Sequence, residues 1–171
     1  GYHLGCNHQF PAYHMHPAEF GSFRRKMGRD VPSPLPLWEG DRIDLQTRTR
    51  EVILHPGHTP GSMALLYREN RILYGGDSIQ DSSIYMFGPG RNLQAYIASM
   101  ERLLKIADSF DTIYPSHGSI TLGAVAIGQL LDGARRILRG EVEGCAMEVN
   151  NTSVMRYDVG IARFLCDAGQ A

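Results

Sequence analysis

Several absences limit what this chain can be. Cysteine is scarce: Cys6, Cys145 and Cys166 form an odd, scattered set with no C-x-x-C pair. That excludes a disulfide-stapled scaffold and makes a reducing compartment the default, so a cytoplasmic location is expected. Charge of one sign is lacking too. The net charge is −1, and the longest basic run is Arg24-Arg25-Lys26. A surface of that kind has no electrostatic footprint for nucleic acid or an anionic membrane, so neither is expected as a partner. No apolar run approaches the roughly 20 residues of a membrane-spanning helix, and the first residues carry no signal-peptide pattern. The 171 residues, 43% hydrophobic and 20% charged, fit one globular domain over 1–171 with a real core. Nothing in these totals fixes an oligomeric state.

Histidine and glycine are what the chain does have. The most informative stretch is His55-Pro-Gly-His-Thr-Pro-Gly-Ser62. It interrupts two strand-like runs, Arg50–Leu54 and Met63–Tyr67. Gly57, Pro60 and Gly61 bend the backbone on either side of His58, which can fix one imidazole above a sheet edge. A hairpin that only reversed the chain would not need that side chain.

The rest of the chain alternates strands and helices. A short strand is expected at His14-Met-His16, then a helix from Pro17 to Met27 with proline in its first turn. Pro32, Pro34 and Pro36 mark 30–38 as an extended connector. Strands follow at Arg42–Leu45, Glu51–Leu54, Met63–Tyr67 and Arg71–Tyr74, the last two joined by a turn at Glu69-Asn70. Ser78–Arg91 is expected to be a long loop bearing Ile84-Tyr-Met-Phe87, either a lid or a segment folded on the core. Asn92 should cap a helix whose core face is Leu93, Ile97, Met100, Leu104 and Ala107. A strand at Asp111–Tyr114, a helix from Thr121 to Arg139 and two strands, Cys145–Val149 and Ser153–Tyr157, complete the reading.

Three side chains share one setting. His58, Asp77 and His117 each follow a strand or turn, and each has glycine nearby. They lie 19 and 40 residues apart (77 − 58 and 117 − 77), so different strands must bring them to one rim. Two imidazoles and a carboxylate suit zinc, with iron or manganese as further options.

Gly57-His58-Thr-Pro-Gly-Ser62, Gly75-Gly-Asp77-Ser78 and Tyr114-Pro-Ser-His117-Gly118 resemble the third, fourth and fifth motifs of the metallo-β-lactamase-fold hydrolases, in their order and spacing. The resemblance implies an α/β (α+β) fold, a four-layer αββα sandwich, with a dinuclear metal site on one edge. It implies that His58 binds the first metal, that Asp77 bridges the two and is catalytic, and that His117 binds the second. His3-Leu-Gly5-Cys-Asn7 resembles the tail of the family's H-x-H-x-D-H motif, which makes His3 a second-metal ligand and puts Tyr2 at the motif's aspartate. The first two histidines of that motif have no counterpart here, so the chain is expected to be an N-terminally truncated member lacking the fold's first strands. On this ligand set it should bind at most one ion tightly. His14-Met-His16 with Glu19 is a rival H-x-H, but Pro17 and Ala18 stand where the aspartate and last histidine should be. His8 and His55 are expected near the site or at the surface.

The expected function is a glyoxalase II-like, metal-dependent hydrolase with two zinc ions in the complete family site, acting on a small-molecule thioester, ester or lactone rather than a β-lactam. Two alternatives stand beside it: a mononuclear iron persulfide dioxygenase of the same fold, and a remnant that keeps only the fold. Tyr85, Phe87 and Arg91 are expected to contact substrate, as aromatics and a cation at a pocket mouth.

Overall fold

The computed structural model describes residues 9–27 and 33–168. Its strands are β1 (His14–Met15), β2 (Leu35–Pro36), β3 (Arg42–Asp44), β4 (Thr49–Leu54), β5 (Met63–Tyr67), β6 (Ile72–Gly76), β7 (Ser83–Met86), β8 (Thr112–Pro115), β9 (Leu122–Gly123), β10 (Gly144–Val149), β11 (Thr152–Asp158) and β12 (Arg163–Asp167). Three α-helices join them: α1 (Phe20–Met27), α2 (Leu93–Lys105) and α3 (Val125–Leu138). The expected mixed α/β class is therefore present. A six-stranded sheet has the order β3-β4-β5-β6-β8-β9, and a four-stranded sheet the order β10-β11-β12-β7.

The six-stranded sheet forms because β4, β5, β6 and β8 alternate buried and less buried positions, the period of a pleated strand. Ala64, Leu66, Leu73 and Ile113 are at most 1% exposed and belong to one core with Ile84, Met86 and Phe164 of the other sheet. Helix α2 starts where expected, since Asn92 Oδ1 accepts from the Ala95 N–H at 2.8 Å. Its buried face is Leu93, Tyr96, Ile97, Met100 and Leu103. Leu104, expected in the core, is 46% exposed. One residue is a 100° turn of the helix, and the packing against α3 selects Leu103.

Two expectations on the connections need correction. Ser78–Arg91 is not an open loop or lid: Ser83–Met86 is strand β7, paired in parallel with β12. Strand β12 itself was not foreseen; it lies about 80 residues downstream of β7, and no local signal links the two. The helix expected from Thr121 begins at Val125, because Leu122 and Gly123 instead pair with β8 as strand β9. Pro17 to Met27 is helical throughout, as a 3-10 turn over Pro17–Glu19 followed by α1.

Candidate metal centre

The sheet order explains how distant residues meet. Strands β6 and β8 are parallel neighbours, with Gly76 opposite Pro115 at their ends. Asp77 and His117 follow those ends and so leave the same edge of the sheet. Strand β5 runs antiparallel to β6, so the 55–62 loop at its start reaches that edge as well. Loops beyond the carboxyl ends of parallel strands are the usual place for a site in such sheets.

The three side chains do gather there. His58 Nε2 lies 3.7 Å from Asp77 Oδ2, and His117 Nε2 lies 3.8 Å from Asp77 Oδ1. Each imidazole faces a different oxygen of one carboxylate. Exposure rises outward, from 13% at His58 through 26% at Asp77 to 51% at His117. The first imidazole is therefore a wall of the site and the second its rim.

His58 is fixed at its other nitrogen. Its Nδ1 stands 2.8 Å from the Tyr85 carbonyl, which can only accept, so Nδ1 carries the hydrogen and Nε2 presents its lone pair. In the neutral ring that lone pair faces a carboxylate oxygen, and the repulsion between two acceptors is removed by a proton on Nε2 or by a cation between them. A shared cation with ligand bonds of about 2.0–2.2 Å would place two donor atoms roughly 3.4 Å apart. The observed gaps exceed a hydrogen bond and come within a few tenths of an ångström of that spacing. This donor set fits a divalent metal. Each oxygen of Asp77 faces a different imidazole; among the described residues no three His, Cys, Asp or Glu side chains close on one point. His3, expected as a second-metal ligand, and Tyr2 lie outside the described residues.

The loop carrying His58 is pinned from several directions. Gly61 N–H donates to Glu19 Oε1 at 2.7 Å, Asn92 N–H donates to the Gly57 carbonyl at 2.9 Å, and Ser99 Oγ donates to the Pro56 carbonyl at 2.7 Å. Glu19 is thereby a clamp on this loop. His16 Nδ1 accepts from the Ala18 N–H at 3.3 Å, and its ring lies edge-on to Trp38. Of the rival His14-Met-His16 and Glu19 set, His16 thus caps the Pro17–Glu19 turn and Glu19 clamps the His58 loop.

The expected substrate-contact residues lie beside His58. The rings of Tyr85 and Phe87 are 5.3 Å apart, and Arg91 Nε donates to the Tyr85 carbonyl at 3.2 Å, the carbonyl that also holds His58. His55 is not at the surface: it is 1% exposed, and among the described residues neither ring nitrogen makes a hydrogen bond of ordinary geometry. Burial pushes its pKa down to about 4, so it is neutral at pH 7. The sequence carried no sign of that burial, nor of Asp81, which bridges two loops of the site as described below.

The model of the metallo-beta-lactamase superfamily matches residues 2–117, about two thirds of the chain. The chain belongs to that superfamily. Its three helices and two principal sheets are of the same class as the solved neighbours. It superposes on a metallo-beta-lactamase from Pontibacter korlensis with a TM-score of 0.62 over 78% of this chain and 62% of the other, at 15% identity. It also superposes on TTHA1623 in a di-iron-bound form, with a TM-score of 0.58 and 25% identity over 74% of this chain and 69% of that one. Among curated proteins it is similar to the acyl-coenzyme A thioesterase MBLAC2 of Gallus gallus, 39% identical over 88 residues, and of Homo sapiens, 32% identical over 102 residues. Those matches cover 50% and 58% of this chain but only 31% and 36% of the relatives, so the chain spans about a third of their length. Among the described residues no helix is long and apolar enough to cross a membrane.

Proposed function

We propose that this chain carries the metal centre of a metal-dependent thioester hydrolase whose substrate is an acyl-coenzyme A or a similar acyl thioester. The observation that carries the reading is the Asp77 carboxylate with an imidazole Nε2 opposite each oxygen, at 3.7 and 3.8 Å. Similarity to proteins named acyl-coenzyme A thioesterase supports the thioester over an ester, a lactone or a β-lactam.

His58 and Asp77 would hold one cation, and Asp77 and His117 a second, with His3 as a further ligand of the second. Bound divalent metal supplies an acidified water as nucleophile and an electrophile for the developing oxyanion. The chain's own residues do the rest. Asp77 sets the separation of the two half-sites through the fixed span of its carboxylate. The Tyr85 carbonyl holds the His58 tautomer that leaves Nε2 free to ligate, a support of the kind that raises ligand basicity. The Tyr85 and Phe87 rings form an apolar wall for the acyl group, and the Arg91 guanidinium lies beside them as a cation for the anionic part of the substrate. Hydrolysis adds water across the acyl carbon–sulfur bond, giving a carboxylate and a free thiol. Zinc is the first metal to test. Iron is the second, given the di-iron neighbour.

The test is zinc loading followed by thiol release from a panel of acyl-coenzyme A thioesters, lactones and phosphoesters. Metal analysis should find zinc retained by the chain and lost on Asp77→Asn, and thiol release should fall at least 100-fold in that variant. Retained zinc with no turnover of any thioester would refute the hydrolase reading. Retained iron with oxygen uptake on a persulfide and no thiol release would move the chain to the oxygenase class.

A further inference from the structure

The two imidazoles of the site are held very differently. The His58 loop is anchored by Glu19, Asn92, Ser99 and the Tyr85 carbonyl. His117 lies beyond the last ladder residue of β8, on a loop whose described backbone anchor to β6 is Ser116 N–H on the Gly76 carbonyl at 3.1 Å.

Asp81 crosses the gap. It lies four residues past Asp77, in the turn that leads into β7. Its Oδ1 accepts from the Ser119 N–H at 2.8 Å and its Oδ2 from the Ser119 hydroxyl at 2.5 Å. These two bonds hold its carboxyl below the usual carboxylate range, so it is ionised at neutral pH. Gly118 lies directly between His117 and Ser119. Its φ is +91°, and a Cβ built there would stand 2.1 Å from Asp81 Oδ1. Conformation and space both require glycine. The carboxylate sits where any other residue's side chain would begin, so the Gly in the His117-Gly118 pair is explained by Asp81 as well as by the turn.

We propose that Asp81 is a positioning residue for the second half-site: by gripping Ser119 through both oxygens it fixes where the His117 imidazole stands relative to Asp77. This rests on the metal reading of that site. Both carboxylate oxygens grip Ser119, two residues past His117, so the action of Asp81 on the site runs through the loop. Loss of the grip frees the His117 loop and leaves the separately anchored His58 loop in place. The effect is therefore specific to one half-site, which a general loss of stability would not be. Partners of ligands tuned in this way typically change metal affinity by about 10–100-fold when removed.

The test compares wild type, Asp81→Ala and Asp81→Asn by competition of a chelator for bound cobalt(II), by the cobalt visible spectrum, and by hydrogen exchange at the Ser119 amide. Asp81→Ala should weaken cobalt binding about 10–100-fold, alter the spectrum and speed Ser119 exchange at least tenfold, with exchange in the 55–62 loop unchanged. Asp81→Asn keeps an oxygen for the Ser119 N–H and should recover most of the affinity. Wild-type cobalt affinity in Asp81→Ala overturns the proposal. So does an Asp81→Asn variant as weak as Asp81→Ala, since charge at a distance would then be the cause. If wild type binds no cobalt, the metal reading falls and the proposal falls with it. Slow Ser119 exchange in wild type that is lost in Asp81→Ala would then show that the latch exists without a metal to serve.

Discussion

Gly57→Ala should destabilise the protein far more than a change in a turn usually does. Gly57 has φ +143°, and a Cβ built on it would stand 2.5 Å from Tyr96 Cα, 2.6 Å from its Cβ and 2.6 Å from its nitrogen. Two of those three atoms are backbone in the first turn of α2, so no change of rotamer clears the contact. Either the helix or the His58 loop must move, and the Asn92 N–H to Gly57 carbonyl bond resists both. The positive φ costs roughly 1–2 kcal/mol for a residue with a Cβ. Overpacking adds about 1–3 kcal/mol. The smaller entropy of the unfolded alanine chain offsets about 0.4–1 kcal/mol. The net loss is about 1–5 kcal/mol, centred near 3, a large share of an ordinary domain's stability. Gly140→Ala is the control, because Gly140 has φ +71° and nothing within 4 Å of its would-be Cβ. It should cost about 1 kcal/mol, the strain alone. Urea unfolding of both variants, followed by circular dichroism in the presence of a chelator, measures the difference without a contribution from bound metal. In thermal unfolding a 3 kcal/mol loss corresponds to about 6–12 °C for a chain of this size. Equal losses in the two variants would refute the close approach of α2 to the His58 loop.

Two further outcomes follow from buried polar groups. His55 has a folded pKa of about 4 against an ordinary 6.5, so protons favour the unfolded chain between those values. Stability should be full above about pH 6.5 and fall as pH drops toward 4, by up to about 3 kcal/mol. His55→Leu should flatten that limb and keep or raise stability at pH 7, since neither ring nitrogen has a partner to lose; melting temperatures at pH 7 and 4.5 that change equally in both proteins would sink this. The Tyr96 hydroxyl donates to the Ser78 carbonyl at 2.9 Å in the core, next to Asp77. Tyr96→Phe should cost about 1–2 kcal/mol, and an unchanged urea midpoint would show that the bond contributes nothing.

What could be read without coordinates was local. Glycine and proline around His58 fix the bends, and the two-residue period of Met63–Tyr67 and Ile72–Tyr74 fixes strands that the fold contains. Asn92 could be recognised as a cap because its side chain acts three residues away. Misreadings began where long-range pairing decided. Ile84-Tyr-Met-Phe87 has the alternation of a strand, but its partner lies about 80 residues on, and without that partner the stretch reads as a loop that is either a lid or folded on the core; Ile84 and Met86 are buried, so the second holds. Leu103 and Leu104 are equally apolar, and only the position of α3 distinguishes them.

By itself, then, the sequence determined the family, the rim residues His58, Asp77 and His117 and the strands that deliver them, because each depends on spacing along the chain. Tertiary structure alone decided the rest. It placed one imidazole opposite each oxygen of Asp77, fixed the His58 tautomer through the Tyr85 carbonyl, buried His55 without a partner and set Asp81 against Gly118. Each of those is a contact between segments distant in sequence, and its sign and strength depend on distances of a few ångströms that no pattern of residues encodes.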